Sequence, residues 1–504
     1  MKKIISITLI FALCLCLCAC GGNKPGNSLT SPNESNKNDT FLNSDDPNKP
    51  TVMNMFYRNT LGIEIVSDNP DIQAVDQKAD DLLKKIEDYP DSLKATGKTY
   101  YVSAEGDDKN DGLTPETAVK SYLVIKNIVT NGDVVLFRRG DIFRGQIRLM
   151  PGVSYGAYGT GIKPRIYGSI DGKEGEWKET DDDIYTYNAP MTNYSNIIFN
   201  NGEAVGRPVQ KKDELTDKAL NVLYKSGKIS VYSPDGNPAE IFDNIEIVDD
   251  AYCLVAGNGN GEDSRDITLQ NLCIMYTGVH CIGGLGSAFN FTIEGCVIGF
   301  AGGRDLYKGG NPVSLGNAIE FWYEAENVNV HDNYIFQCYD TGITHQGPNS
   351  KFNNIRYTDN LIEYCVWGIE AWTSHEEDQE GPDNTYGEVY IENNIIRHSG
   401  YGWGSLDRPD KNVYADITYS AGDHTKPLRI SGNILDRTRR NAINLNNFPD
   451  KSLLILTDNT FLIEGKRGTA INVIRDTCKI GDDFDAFANK FFGTVSGNKL
   501  IDVA

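Results

Sequence analysis

From residue 267 onward, apolar and polar positions alternate in short runs that superimpose on one template: 267–274, 291–298, 328–335, 355–362, 389–396, 428–435 and 454–461. A period of two predicts strands, because successive side chains of a strand point to opposite faces. The sixth place of the template holds Leu272, Cys296, Asn333, Asn360, Asn394, Asn433 and Asn459, at intervals of 24, 37, 27, 34, 39 and 26 residues. Such spacing describes a coil of roughly two dozen residues with loops of variable length inserted into it. Stacked coils would turn the apolar residues inward and bring the asparagines into a ladder, each amide bonding its neighbours one rung away and satisfying turn groups that lack other partners. The pattern predicts an all-β solenoid in which each coil leans on the next and both ends need caps. Cys338 and Cys365 share a further repeat position, five residues past their asparagines, and read as an interior ladder of small apolar groups rather than a disulfide.

Upstream the spacing changes. Ile72, Val75, Ala79, Leu82, Leu83 and Ile86 recur at helical intervals, with Asn69 as N-cap, Pro70 in the first turn and Pro90 as the stop, which predicts a packing helix. An alternating strand starts at Thr99, an Asp/Gly/Asn turn follows, and Thr114 with Pro115 behind it opens a helix placed to cap the solenoid. Asp107, Asp108 and Asp111 lack the spacing of an EF-hand loop and read as a solvated turn. Lys2, Lys3 and an apolar stretch over 4–18 form a secretory signal whose core is short for a membrane span. The tetrad Leu17, Cys18, Ala19, Cys20 resembles a bacterial lipobox, which implies cleavage before Cys20, acylation of its thiol, and an extracellular protein anchored in the membrane of the bacterial cell surface by lipid. The expected organisation is a signal peptide over 1–20, a disordered polar linker over 21–50, a helical segment over 51–97 and a single solenoid domain over 98–504.

Charge narrows the partners. With 70 acidic against 48 basic residues and a net charge of −22, a nucleic-acid partner is not expected, and a polyuronate would be repelled at long range. Outside the leader seven cysteines remain, an odd number without a CxxC pair, which argues against a disulfide framework or a zinc site. No obligate cofactor is expected, and the chain should act as a monomer.

The segments YYVSAEGDDKNDG, GDVVLFRRGDIFRG, YGAYGTGIKP, and GNAIEFW followed by YDTGITHQG resemble a bacterial branch of exported proteins with the pectate-lyase-like fold. From about Thr99 to the C-terminus the chain looks like the right-handed parallel β-helix proteins of that superfamily, and the resemblance implies their fold. It implies less about chemistry, since the superfamily includes lyases, glycosidases, epimerases and non-enzymatic adhesins. The DPHD motif of alginate epimerases is absent.

Candidate chemistry follows from strand parity. Eight or nine residues past each asparagine position a second strand can be aligned on inward Val279, Ile319, Ile343, Ile369, Trp403, Ile443 and Ile471. The next residue then points outward on every coil: His280, Glu320, Thr344, Glu370, Gly404, Asn444 and Asn472. Two residues further, Trp322, Gln346 and Trp372 share a second outward column. Glu320 and Glu370 would lie about 9 to 10 Å apart at the backbone, a separation that suits the acid and base of an inverting glycosidase. His280 would flank Glu320, the two tryptophans would stack on sugar rings, and Gln346 and Asn444 would bind hydroxyls. Asp340 and His345 are further catalytic candidates on the middle coil, although parity turns His345 inward, where a satisfied core histidine is the alternative. Insertions over 303–316, 373–387 and 406–427 would wall a groove. Glu376, Glu377, Asp378, Glu380 and Asp383 read as a solvated loop, with calcium as the one ion they would suit; no metal ligands are assigned. Arg437, Arg439 and Arg440 would either bind an anionic sugar or offset the acidity. Three functions fit: a glycoside hydrolase on a polysaccharide or oligosaccharide, a calcium-assisted polysaccharide lyase using Lys308 or Arg408, and a non-catalytic glycan-binding or adhesive protein.

Overall fold

The structure is a computed structural model that describes residues 55–60, 67–188, 194–249, 251–256, 264–284, 287–308, 311–374, 385–407, 414–420, 423–446, 448, 450–465 and 468–503. The leader, Cys20, the linker over 21–50, Arg408 and the acidic segment 376–383 lie outside these residues. Among the described residues no helix is long and apolar enough to cross a membrane.

The chain winds into a right-handed parallel β-helix. One face carries Phe143, Ile166, Ile274, Ile298, Ile335, Ile362, Ile396, Leu435, Phe461 and Leu500 in unbroken parallel register, all but Leu500 buried. From Ile298 to Leu500 that register is held by the asparagine ladder, whose first member Asn333 accepts from the Cys296 N–H. The backbone N–H and Nδ2 of Asn333, Asn360, Asn394, Asn433 and Asn459 each donate to the Oδ1 of the next ladder residue, side chain to side chain at 3.0 Å, and Asn498 extends the ladder by a rung. Each Nδ2 also donates to a carbonyl of the preceding coil, such as Val330 or Tyr357. A turn cut through a dry core leaves amides and carbonyls without water, and the asparagine supplies both missing partners at once. The preceding residue turns the corner in the left-handed region: Asp332, Asp359, Asn393, Gly432, Asp458 and Gly497 all have positive φ. Asp, Asn and Gly are the types that tolerate it.

Cys338 and Cys365 are fully buried free thiols that donate to the carbonyls of Phe336 and Glu363, as an apolar interior ladder requires. The predicted helix is α1 (Pro70–Glu87), capped by Asn69, whose side chain accepts from the N–H of Asp71. It runs across several coils: Ile72 and Val75 pack with Leu462 and Val503, whereas Ala79, Leu83 and Ile86 pack with Tyr276, Phe300, Phe336 and Leu361. Asp76 bridges Arg397 and Arg437 at 3.1 and 3.0 Å, so Arg437 serves helix docking rather than an anionic sugar. Arg439 lies over the rings of Tyr401 and Tyr414.

Two expectations change. The helix after Thr114 is only a short 3-10 turn over Pro115–Thr117 and a single turn over Tyr122–Ile125, although Tyr122 and Ile125 do plug the N-terminal end of the core. At the other end α2 (Phe484–Phe491) lays Phe484, Phe487 and Phe491 against it. The stretch 98–504 is also not one uninterrupted solenoid, because residues 169–248 leave it as two small sheets rich in antiparallel pairs. They enclose a separate core of Trp177, Phe199, Val222, Ile229, Val231, Ile245 and Ile247. The signal was the Ser226-Gly227 pair, both at positive φ, a two-residue hairpin turn that parallel coils cannot use.

Asn394→Ala removes partners from the Asn360 N–H and the Tyr357 carbonyl, both buried. It should cost on the order of 3 kcal/mol in chemical denaturation. Asn327→Gly, in the solvent-exposed ladder Asp266, Asn290, Asn327, Asn354, keeps the positive φ of that position and should cost less than about 1 kcal/mol because water replaces the lost bonds.

Candidate active site

The outer wall is built by β1 (Ile282–Gly284), β2 (Ile319–His331), β3 (Thr341–Thr358), β4 (Trp367–Ser374), β5 (Ala415–Ser420), β6 (Asn441–Asn446) and β7 (Thr469–Val473). Ile282, Ile319, Ile343, Ile369, Ile417, Ile443 and Ile471 are register partners and face the core. The outward column beside them is Gly283, Glu320, Thr344, Glu370, Thr418, Asn444 and Asn472. Glu320 and Glu370 therefore stand on one wall, each paired with Thr344 between them. Two positions of the sequence alignment shift. Val279 and Trp403 give way to Ile282 and Ile417, because the chain adds residues before those strands. Trp403 is buried elsewhere, its indole N–H donating to the Gln337 carbonyl at 2.8 Å and its ring edge-on to Tyr339.

His280 lies just ahead of its strand rather than in the column, yet it reaches Glu320: Nε2 is 3.1 Å from Oε2. Its Nδ1 accepts from the backbone N–H of Asn317 at 3.0 Å, so the imidazole proton must reside on Nε2 and point at the carboxyl. Asn317 Nδ2 and Gln346 Nε2 donate to the same Oε2 at 2.9 and 3.0 Å. Neither amide can flip. Asn317 Oδ1 accepts from the Thr341 N–H, and Gln346 Oε1 accepts from the indole N–H of Trp372 at 2.6 Å and from the Thr344 hydroxyl. Oε2 is thus a saturated acceptor with three donors of forced orientation, and a proton on this carboxyl belongs on Oε1. Burial, with Glu320 only 7% exposed, pushes its pKa up to about 7 against the pull of the two amides. Burial likewise drives His280 down to about 4, partly countered by Asp340, so between about pH 4 and about pH 7 the imidazole is neutral while Glu320 is protonated.

Glu370 is half-buried and accepts from the Thr341 hydroxyl at 3.1 Å. Asn317 and Thr341 consequently join the two carboxyls through one chain of hydrogen bonds, a link that strand parity could not disclose because Asn317 sits in the turn before β2. Trp322 and Trp372 meet edge to face, with ring centroids 5.7 Å apart, both half-exposed. A bulge sets this pose: register breaks between Trp322 and Glu324, and Tyr323 takes φ +76°. Asp340 is near enough to His280 to act on its charge. His345 is fully buried on the core side, its two nitrogens 3.0 and 3.2 Å from the hydroxyls of Tyr357 and Tyr419, so it is a satisfied core histidine and not part of the wall chemistry. Burial lowers its pKa to about 3. Asn444 lies on the wall two rungs from Glu370, donating to Thr418 and accepting from Asn472.

No family model matches the chain and no curated protein matches it. Among solved structures it is similar to XylC with xylose (12% identity, TM-score 0.44, covering 75% of this chain and 71% of that one). A structure described as a glycoside hydrolase aligns at 10% identity and TM-score 0.46, over 80% of this chain and 97% of the other. The GH136 lacto-N-biosidase from Eubacterium ramulus aligns at 16% identity and TM-score 0.38, over 81% and 68%. At these identities the likeness is one of fold.

Glu320 has a native pKa of about 7 against an ordinary 4.5, so the folded protein holds an extra proton between those values and loses stability as pH rises through them. His280, lowered from 6.5 to about 4, acts in the opposite sense, its contribution disappearing as pH falls through that range. Glu320→Gln should therefore gain stability relative to wild type between about pH 5 and about pH 8, by about 3 kcal/mol at most, in denaturant titrations at each pH.

Proposed function

We propose that this chain is a glycoside hydrolase acting on a largely neutral polysaccharide or oligosaccharide, with Glu320 as general acid and Glu370 as general base. A lipid on Cys20 would hold it at the cell surface. The observation that carries the reading is the pairing of a carboxyl kept protonated near neutral pH, its proton confined to one oxygen, with a second, more exposed carboxyl two rungs away. Two carboxyls in different environments are what acid and base division needs.

In the step, Glu320 Oε1 gives its proton to the glycosidic oxygen as the bond to the anomeric carbon breaks. Glu370 takes a proton from a water that attacks that carbon from the opposite face. The product is a hemiacetal of inverted configuration, and the proton count is restored by solvent. A backbone separation of about 10 Å leaves room for that water, whereas a retaining pair stands about 5 to 5.5 Å apart. Trp322 and Trp372 offer apolar faces to the sugar, and the bond from Trp372 to Gln346 keeps one of them oriented. A lyase would need a cationic base and a cation for the uronate; the groups bonded to Glu320 are two amides and a neutral imidazole, and the net charge of −22 disfavours a polyanion.

A panel of neutral and uronate glycans tests this with reducing-end and ultraviolet readouts. Glu320→Gln and Glu370→Gln should each lower kcat by about 10²–10⁴-fold while leaving binding within a few-fold. Wild-type activity should fall as pH rises past about 7, where Glu320 loses its proton. Undiminished turnover in both variants, or an unsaturated product, sinks the assignment. Retained binding without any turnover in the wild type points instead to a glycan-binding protein.

A further inference from the structure

The wall differs on its two sides. Toward the N-terminus, the rung beside Glu320 is Gly283, which has no side chain, and the ring of Tyr252 fills the place: a Cβ on Gly283 would stand 2.6 Å from its Cε1. The same ring packs on His280, with centroids 5.4 Å apart. One rung further back is Val255, buried and apolar. Beside Glu320 the aromatic ring occupies the space a further sugar unit would need, and Val255 behind it adds no polar side chain.

Toward the C-terminus the wall stays polar and uncharged. Past Glu370 come Thr418, Asn444 and Asn472, joined side chain to side chain. In the second column Trp372 is followed by Ser420, by its register partner Asn446, which is exposed, and by Ile474. Ile474 is 61% exposed and sits at φ +59°. Val473 and Asp476 pair across it, so Ile474 and Arg475 form a two-residue hairpin turn. Glycine or asparagine meets such a φ with least strain, and a β-branched side chain meets it with most. An apolar side chain held there against strain and exposed in line with the wall needs a reason other than folding.

We infer that the wall is a blind-ended cleft: a neutral glycan lies along the helix axis with one terminus stopped by Tyr252 beside Glu320 and its body extending over Trp372, Ser420 and Asn446 to Ile474. Cleavage then proceeds from a chain end. The stretch from Glu320 to Asn472 spans five rungs, about 24 Å, enough for several sugar units. This rests on the hydrolase reading for its cleavage step but not for its binding geometry.

The test titrates the full chain with unbranched neutral oligosaccharides, from disaccharide to hexasaccharide, of the xylan, mannan, β-glucan and galactan series, reading tryptophan fluorescence. In the series that binds, affinity should tighten by about tenfold or more with length. Ile474→Gly, which relieves strain, should return the hexasaccharide to within about threefold of the disaccharide and leave the disaccharide unchanged. Where the wild type cleaves, a single product size should be present from the first time point, and Tyr252→Ala should give mixed sizes. Length-independent affinity, an unaffected hexasaccharide in Ile474→Gly, mixed wild-type products, or binding by no series overturns the blind-ended cleft. Length-dependent binding without cleavage keeps the cleft and removes the hydrolase reading.

Discussion

The coils that carry the wall of this protein depend on the asparagine ladder that locks one to the next. A coil must turn three times around a dry interior, and each turn leaves backbone groups that no strand can pair. An amide side chain offers one acceptor and two donors, and from Asn333 to Asn459 each is used in the same way at one-rung spacing. A slip of one residue would break that chain of bonds and turn the inward isoleucines toward solvent. The parallel ladders that place Glu320 and Glu370 on one wall inherit their alignment from this constraint.

The same logic of scarce partners operates at the carboxyls with a different outcome. At the ladder, burial is answered by complete satisfaction. At Glu320 it is answered on one oxygen only: three donors, each oriented by a group behind it, converge on Oε2. The hydrogen bonds favour the charged form, burial favours the neutral one, and burial prevails by enough to hold the group near pH 7. A carboxyl immobilised without being fully ionised suits the proton-donor role that we propose for it.

Elements outside the coils serve the coils. Helix α1 crosses them like a brace, ending with charges from Asp76 to Arg397 and Arg437 and from Lys85 to Asp332. The antiparallel unit over 169–248 carries its own small core and so adds to the solenoid without disturbing its stacking. Because register is held in the turns, loops between them can differ in length, and intervals of 26 to 39 residues coexist in one asparagine ladder.

Strand parity and the recurrence of asparagine were enough to predict the solenoid, its internal alignment over 267–461, the packing helix and the shared wall of Glu320 and Glu370, since each is a periodic property of a strand or helix and periodicity is local. The antiparallel insert was marked only by a Ser-Gly turn, and the rungs at Ile282 and Ile417 were misplaced because loops of unmarked length precede them. His345 was legible as a core residue by parity. Asn317 and Thr341, which tie the two carboxyls together, and Tyr252, which closes the wall, were not legible at all. Their roles arise from turns folding back on neighbouring coils, across distances in sequence that no period encodes, so only the stacked tertiary structure could decide them.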